Sequence, residues 1–309
     1  MSWFTRGVLV ATHNPISRRI FTSTRAGRAL AHRFVAGDTL EDGIAAARRL
    51  AEAGMMTSLD LLGEAVTDRD SAVSARAEYR AVLDRLADEQ LPANISIKLT
   101  QLGLAIDEAM AREAVAELAV RAAEVGTTVT IDMEDSRFTD ATIEIYADVQ
   151  PRHGNLGIAL QAYLHRTPRD LERLMPLGGH IRLCKGAYAE PPDIAFQSRA
   201  EVSRAFLGLL ETLMSQEQTR PAVATHDEAL IDRARRLAER RRGGFEFQML
   251  YGVRPELQRT LRDEGYDLRI YVPFGSQWYP YLTRRLAERP ANLVFFMRSL
   301  VGKDRAGPV

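Results

Sequence analysis

The run Ile95-Ser96-Ile97-Lys98-Leu99 sets a cation in a segment that alternates apolar and polar residues. A strand over it turns Ser96 and Lys98 to one side and Ile95, Ile97 and Leu99 to the other. A lysine aimed away from solvent requires an anion, either a neighbouring carboxylate or a substrate. Further polar groups stand at comparable places: Asp132 and Glu134, then Gln161 and Tyr163, then Arg182, Lys185 and Tyr188. Thr225-His226-Asp227, Gln248 with Leu250, and Tyr271 continue the series. Near the C-terminus, Tyr281, Arg284, Arg285 and Glu288 follow at helical spacing and share one face. Two adjacent guanidinium groups suit two-point, planar capture of a small carboxylate.

Taken singly, these groups have ordinary structural readings. A lysine or aspartate at a strand end is commonly a solvated or ion-paired surface group, and Arg284 with Glu288 would make a weak exposed pair. His226 beside Asp227 could be a base with its carboxylate, or a contact residue. Cys184 reads as a small apolar packing residue, and Met55, Met56 and Met249 as core. The set carries the chemistry, provided that the fold gathers it in one place.

From Gly54 onward, short apolar or β-branched runs alternate with longer segments of helical period. Strands are expected over Met55–Asp60, Asn94–Leu99, Thr128–Asp132, Leu156–Leu160, His180–Leu183, Ala222–Thr225, Phe245–Met249 and Leu268–Val272, which makes eight. One helix follows each: Ser71–Gln90, Asp107–Val125, Thr139–Val149, Pro168–Met175, Ile194–Ser215, Glu228–Arg240, Pro255–Glu264 and Trp278–Glu288. A doubly wound nucleotide-binding sheet would carry a glycine fingerprint after its first strand, but Leu59-Asp60-Leu61-Leu62-Gly63-Glu64 stands there instead. The pattern predicts an α/β chain built as a (β/α)8 TIM-like barrel over 54–300, with an N-terminal helical arm over 1–53 and a tail over 301–309. The last helix carries the arginine pair. In such a barrel the active site lies at the C-terminal ends of the strands.

Lys plus Arg and Asp plus Glu are both 41, so no global field favours nucleic acid. With 46% hydrophobic and 27% charged residues the chain can bury a sizeable core. Cys184 is the only cysteine, which excludes an intramolecular disulfide and any multi-cysteine metal site and fits a reducing, cytoplasmic setting. No metal is expected. The stretch Gly7–Ala11 is too short for a signal peptide or a membrane span. Trp3 and Phe4, followed by Arg18, Arg19, Arg25, Arg28 and Arg33, suit either a solvated helical cap or peripheral contact at the inner membrane.

The segments Ser96-Ile97-Lys98-Leu99, Ile131-Asp132-Met133-Glu134, Arg182 to Tyr188, Ala224-Thr225-His226, Phe245-Glu246-Phe247-Gln248, Arg269 to Pro273 and Tyr281 to Leu286 occur in an order that resembles the proline dehydrogenase family, monofunctional bacterial type. The resemblance spans almost the whole barrel. It implies oxidation of L-proline to Δ1-pyrroline-5-carboxylate, with noncovalent FAD at the barrel mouth and a quinone as electron acceptor. It places Lys98, Arg284 and Arg285 on the substrate carboxylate, and Leu183, Tyr188, Leu250, Tyr271 and Tyr281 around the proline ring. Asp132 joins Lys98 and the arginines as a catalytic residue by balancing their charge and orienting an arginine. Gln161, Arg182, Lys185, Gly186, Ala187, Thr225 and His226 fall on flavin positions, and Glu288 close to them. Asp227 stands where many relatives have asparagine. The resemblance leaves room for handover of the product to a pyrroline-5-carboxylate dehydrogenase. Two rival readings remain open at this stage: an aldolase using Lys98 or Lys185 as a Schiff base, and a non-enzymatic sensor of proline or flavin.

Overall fold

Alternation along each strand decides which side chains line a barrel and which face its helices. The computed structural model describes residues 28, 29, 31–63 and 65–288, with side chains as far as Thr283. Trp3, Phe4, Arg18, Arg19 and Arg25 of the expected arm, and the tail, lie outside the described residues. The strands are β1 Met56–Leu61, β2 Ala93–Ile97, β3 Val129–Ile131, β4 Leu156–Gln161, β5 His180–Cys184, β6 Arg220–Ala224, β7 Glu246–Leu250 and β8 Leu268–Phe274. They form a closed barrel in chain order with every neighbouring pair parallel, β8 returning to β1. The expected (β/α)8 fold is the observed one.

The helices are α1 Leu40–Glu52, α2 Arg69–Glu89, α3 Glu108–Glu124, α4 Ser136–His153, α5 Thr167–Leu174, α6 Arg199–Ser215, α7 Glu228–Ala238, α8 Pro255–Asp263 and α9 Tyr279–Glu288. Their starts are written in the sequence. Asp68, Asp107, Asp135 and Asp227 each accept a backbone N–H of the first turn, while Thr39 with Asp42 and Ser198 with Glu201 form capping boxes. Each such cap contributes about 1 kcal/mol. The Ser198 cap also explains a correction: the helix expected from Ile194 begins only at Arg199, after a loop that contains Pro191-Pro192.

The main core lies between sheet and helices. Ile95, Ile97, Ile131, Ile158, Ile181, Val223, Phe247 and Ile270 are fully or almost fully buried there against the inner faces of the helices. The wall between β8 and β1 is closed by α1, whose Ile44, Ala46 and Leu50 belong to this same core and whose Gly43 lies against the Phe274 ring. Although it lies before the boundary expected at residue 53, α1 packs as part of the barrel wall. The final helix, α9, buries Tyr279, Tyr281 and Leu282 elsewhere, in a second cluster with Ala31, Phe34, Val35 and Leu62. Leu62 follows the C-terminal end of β1, so this cluster marks the rim of the barrel mouth.

Alternate residues turned inward make an unusually polar lumen. Where branched apolar side chains commonly fill such a barrel, this one holds Ser58, Asn94, Ser96, Arg182, Glu246, Gln248 and Arg269, all less than a tenth exposed. At its floor Arg269 donates to both Glu246 oxygens at 2.7 and 3.1 Å and to the Thr57 carbonyl at 3.0 Å. Burial opposes the charge of Glu246, but Arg269 and then His180 hold its carboxyl down to about 2. His180, 3.7 Å from that carboxylate, is lowered to about 4 because burial outweighs the attraction.

This floor predicts a pH dependence. Below the ordinary histidine value of 6.5 the unfolded chain takes up a proton that folded His180 refuses until about 4, so stability falls as pH drops through that window. The full loss is about 3 kcal/mol. Glu246 adds a loss between its ordinary 4.5 and about 2. Urea unfolding across this range is expected to show both, and His180→Gln should remove the upper slope while leaving the lower one.

Candidate active site

The C-terminal ends of β1, β2 and β3 and the middles of β5 and β8 bring together five side chains that the chain scatters widely. The second strand stops at Ile97, and Lys98 begins a turn in which its carbonyl accepts the Gln101 N–H at 3.1 Å. Its ammonium donates to Asp60 Oδ1, to Tyr271 OH at 3.3 Å and to Asp132 Oδ2 at 3.5 Å. Burial works against this charge, but Asp60 and then Asp132 outweigh it and carry the ammonium pKa above its ordinary value. Lys98 is thus a protonated donor.

Arg182 projects from the middle of β5 across the lumen. It donates from Nη1 to Asp132 Oδ1 at 2.5 Å, from Nη2 to Ser96 Oγ at 2.9 Å and Ser58 Oγ at 3.4 Å, and from Nε to Gln248 Oε1 at 2.5 Å. The guanidinium carbon also lies 5.3 Å from the Tyr271 ring centroid, within cation–π range. Tyr271 OH donates to Asp132 Oδ2 at 2.7 Å. Two cations, Lys98 and Arg182, therefore stand against two carboxylates, Asp60 and Asp132. Lys98 points inward, and Asp132 accepts from Arg182.

Asp60 was missed by the sequence reading. Its residue is fully buried and pairs in register with Ser96. The signal was present: Ser58 and Asp60 alternate with Leu59 as Ser96 and Lys98 do with Ile97, which marks Asp60 as inward by the rule that found the lysine.

The expected flavin positions line the adjoining rim from β4 to β7. Gln161 ties two loops together, donating to the Glu134 carbonyl at 2.9 Å and accepting from the Ala187 N–H at 3.1 Å. Glu134 itself accepts from the Thr100 N–H at 3.0 Å and hydroxyl at 2.6 Å, and burial raises its carboxyl pKa. Gly186 has a φ of +123°, and a Cβ there would come within 2.2 Å of the Tyr163 ring, so only glycine lets this loop approach. Lys185 donates to Asp227 at 2.7 Å and Ser203 at 3.3 Å. Asp227 also caps α7, and its own N–H donates to Thr225 Oγ1 at 3.2 Å. His226 Nε2 accepts the Leu250 N–H at 3.0 Å, which puts the proton of a neutral ring on Nδ1. That bond occupies the lone pair a general base would need. The plain contact reading of His226 is the one favoured by this geometry.

Of the residues expected around a substrate ring, Tyr271 lines the charged cluster and Leu250 shares the inward register of Glu246 and Gln248. Tyr188 is half-buried in the loop after β5, and Tyr281 is buried in the rim cluster. Leu183 is corrected: it alternates with inward Arg182, pairs with Leu160 and Val223, and is buried in the core between sheet and helices. Arg284, Arg285 and Glu288 continue the α9 backbone within two turns of Tyr281, and their side chains lie outside the described residues. Among the described residues no group of three or more His, Cys, Asp or Glu side chains could hold a metal ion.

The model of the family described as proline dehydrogenase matches residues 44–298 of this chain. Proline dehydrogenase 1 of Bacillus subtilis strain 168 is 38% identical over 284 residues, covering 91% of this chain and 92% of its own length. Proline dehydrogenase of Deinococcus radiodurans is 35% identical over 285 residues, covering 88% and 90%. Among solved structures, proline utilization A from Bdellovibrio bacteriovorus, inactivated by N-propargylglycine, superposes with a TM-score of 0.81 at 23% identity, covering 88% of this chain and 34% of that one. At that identity the structural match speaks for the barrel alone, and this chain spans about a third of that protein.

The buried pairing of Lys98 with Asp60 sets up a double-mutant cycle. Removing one partner of a buried ion pair typically costs about 3–5 kcal/mol, whereas replacing both is far milder. Lys98→Met is expected to lower the urea midpoint sharply, and adding Asp60→Asn should recover most of the loss. Additive losses would show that the two groups do not depend on each other.

Proposed function

The chain belongs to the proline dehydrogenase family, and from that premise we propose that it oxidises L-proline to Δ1-pyrroline-5-carboxylate, with FAD as immediate acceptor and a quinone as final oxidant. The observation that carries this reading is the charge-balanced cluster of Asp60, Lys98, Asp132, Arg182 and Tyr271 at the C-terminal ends of the strands. A neutral cluster of paired ions suits a substrate that is itself a neutral zwitterion.

Lys98 makes one close contact, to Asp60, and two longer ones, at 3.3 and 3.5 Å. A substrate carboxylate can replace the longer two at little loss, while Asp60 keeps the ammonium charged and in place. Arg284 and Arg285, on the helix that the rim cluster brings to the mouth, complete the carboxylate site in this proposal. Tyr271 and Leu250 bound the ring side and exclude water, which leaves the substrate amine no neighbour but fixed protein groups. Asp132, fastened by Arg182 and Tyr271, orients the arginine.

The rim residues fit FAD by their chemistry. Lys185 and Arg182 offer cationic N–H donors to the acceptor atoms of an isoalloxazine and to an anionic diphosphate. Gly186 keeps its side of the rim flat, and Gln161, Ala187, Thr225 and His226 supply backbone and side-chain contacts around it. The Asp227 carboxylate on this stretch is paired by Lys185. When bound, FAD would supply an electron-poor ring able to take a hydride from C5 of a proline whose ring nitrogen has already lost its proton to solvent before the site closes over it, and to pass two electrons on.

The aldolase alternative needs a neutral lysine, yet Lys98 is held protonated by two carboxylates, and Lys185 is paired with Asp227. Quinone reduction implies work at a membrane face. The contact in this proposal is peripheral; no helix among the described residues is long and apolar enough to cross a membrane. Handover of the product to a pyrroline-5-carboxylate dehydrogenase belongs to the same proposal.

Absorbance spectroscopy tests the core of it. The purified protein is expected to bind FAD noncovalently and to lose its oxidised flavin bands when L-proline is added anaerobically; a protein that takes up no added FAD contradicts the proposal. A second expectation concerns selectivity. Tyr271 should exclude a hydroxyl on ring carbon 4, so L-proline should be preferred over trans-4-hydroxy-L-proline by more than the roughly hundredfold that a merely unbonded hydroxyl gives. Steady-state kcat/KM for both substrates should show Tyr271→Ser narrowing that gap, chiefly by losing proline activity.

A further inference from the structure

Gln248 has no place in the chemistry so far, although it lies at the centre of the lumen with 3% of its surface exposed. Its amide orientation is forced. The Nε2 group faces Glu246 Oε1, which can only accept, at 2.6 Å, so Oε1 faces Arg182 Nε, which can only donate, at 2.5 Å. Glu246 cannot yield, because Arg269 grips both of its oxygens and ties it through the Thr57 carbonyl to β1. A continuous chain of hydrogen bonds thus runs from the barrel floor to the active-site arginine.

The consequence lies in the donor inventory of Arg182. A guanidinium has five N–H groups in one plane. One is taken by Gln248, two by Ser96 and Ser58, and one by Asp132. Among the described residues nothing takes the second hydrogen on Nη1. Contacts on Nε and on both terminal nitrogens fix the plane and its rotation, so that last hydrogen has a single direction. Without Gln248 the Nε contact is lost and the plane can turn about its bonds to the serines and Asp132.

We infer that Gln248 is a positioning residue for the proline dehydrogenase reaction: clamped by Glu246, it sets the direction in which Arg182 presents its remaining N–H to the flavin. This rests on the reading of Arg182 as a flavin contact. A fixed cationic donor favours the reduced, more negative cofactor, and a misdirected one does so less. Gln248 does not touch Lys98, so the substrate anchor is left alone.

The test uses full-length protein loaded with FAD. Redox titration with dithionite and a reference dye needs no proline, which separates this inference from the activity itself: wild type that binds FAD but is not reduced by proline defeats the functional reading, whereas the potentials judge Gln248. For Q248M the expected results are retained FAD, a more negative flavin potential, kcat lowered about tenfold or more as for a misplaced catalytic donor, and KM for proline within about threefold. The exchange Q248E/E246Q keeps an acceptor for Arg182 and a donor–acceptor pair between the two positions. It is expected to recover potential and kcat relative to Q248E, in which two carboxylates oppose each other. An unchanged potential in flavin-loaded Q248M overturns the inference, as does a loss confined to KM. Should Q248M fail to fold, the comparison of Q248E with Q248E/E246Q decides the matter, and absence of recovery overturns it.

Discussion

Burying four charges at the end of a barrel is tolerable only if each finds its counter-charge at close range, and the pairing of Lys98 and Arg182 with Asp60 and Asp132 meets that condition. Each member lies on a different strand or directly after it, so the pairing also fixes the relative heights of β1, β2, β3 and β5. A one-residue slip of any of these strands would turn its charge into the apolar layer and leave its partner alone. The same requirement explains the hydroxyl groups of Ser58 and Ser96, which bond each other at 3.0 Å and share the underside of the Arg182 guanidinium. The lumen is polar because the site above it is.

A barrel of this kind has a choice of which helix covers its seam. Here α1 covers it, with Ile44 and Leu50 in the main core, and α9 is released to pack on Ala31, Phe34 and Val35 at the mouth. The arrangement brings Tyr281 to the rim beside Leu62, one helical turn before Arg284 and Arg285. Backbone bonds secure the exchange: Ala36 donates to the Pro273 carbonyl at 2.8 Å and Gly275 to the Gly37 carbonyl at 2.9 Å.

Much of this was legible beforehand, for identifiable reasons. Eight strands were readable because outward positions such as Ile95, Ile97, Phe247 and Ile270 alternate with inward ones, and alternation survives in any one sequence. Lys98 stood out as a charge on the inward phase. Asp60 obeys the same phase, but a single carboxylate at a strand end reads equally well as a solvated surface group. Leu183 was misplaced by family likeness, although its alternation with Arg182 already turned it outward. The ends of helices were legible where an Asp or Ser cap wrote them, and not at Ile194, where apolar spacing continued through a proline-containing loop. What no local pattern can show is which distant partner a side chain meets. The bond from Gln248 to Arg182 joins residues 66 apart, and that from Arg269 to the Thr57 carbonyl joins residues 212 apart.

The seam has a consequence for how the chain comes to be folded. The first strand can be completed on one flank only by β8, which pairs with it from Met56–Arg269 to Leu61–Phe274, and α1 needs both strands to cover its apolar face. A ribosome delivering this chain therefore releases α1 and β1 long before their partner exists. Until then Ile44 and Leu50 have half a binding surface, and one edge of β1 stays open. Closure is a single long-range event with a high loop-entropy cost, and it ought to set the pace of folding and open the interval in which the nascent protein depends most on chaperones.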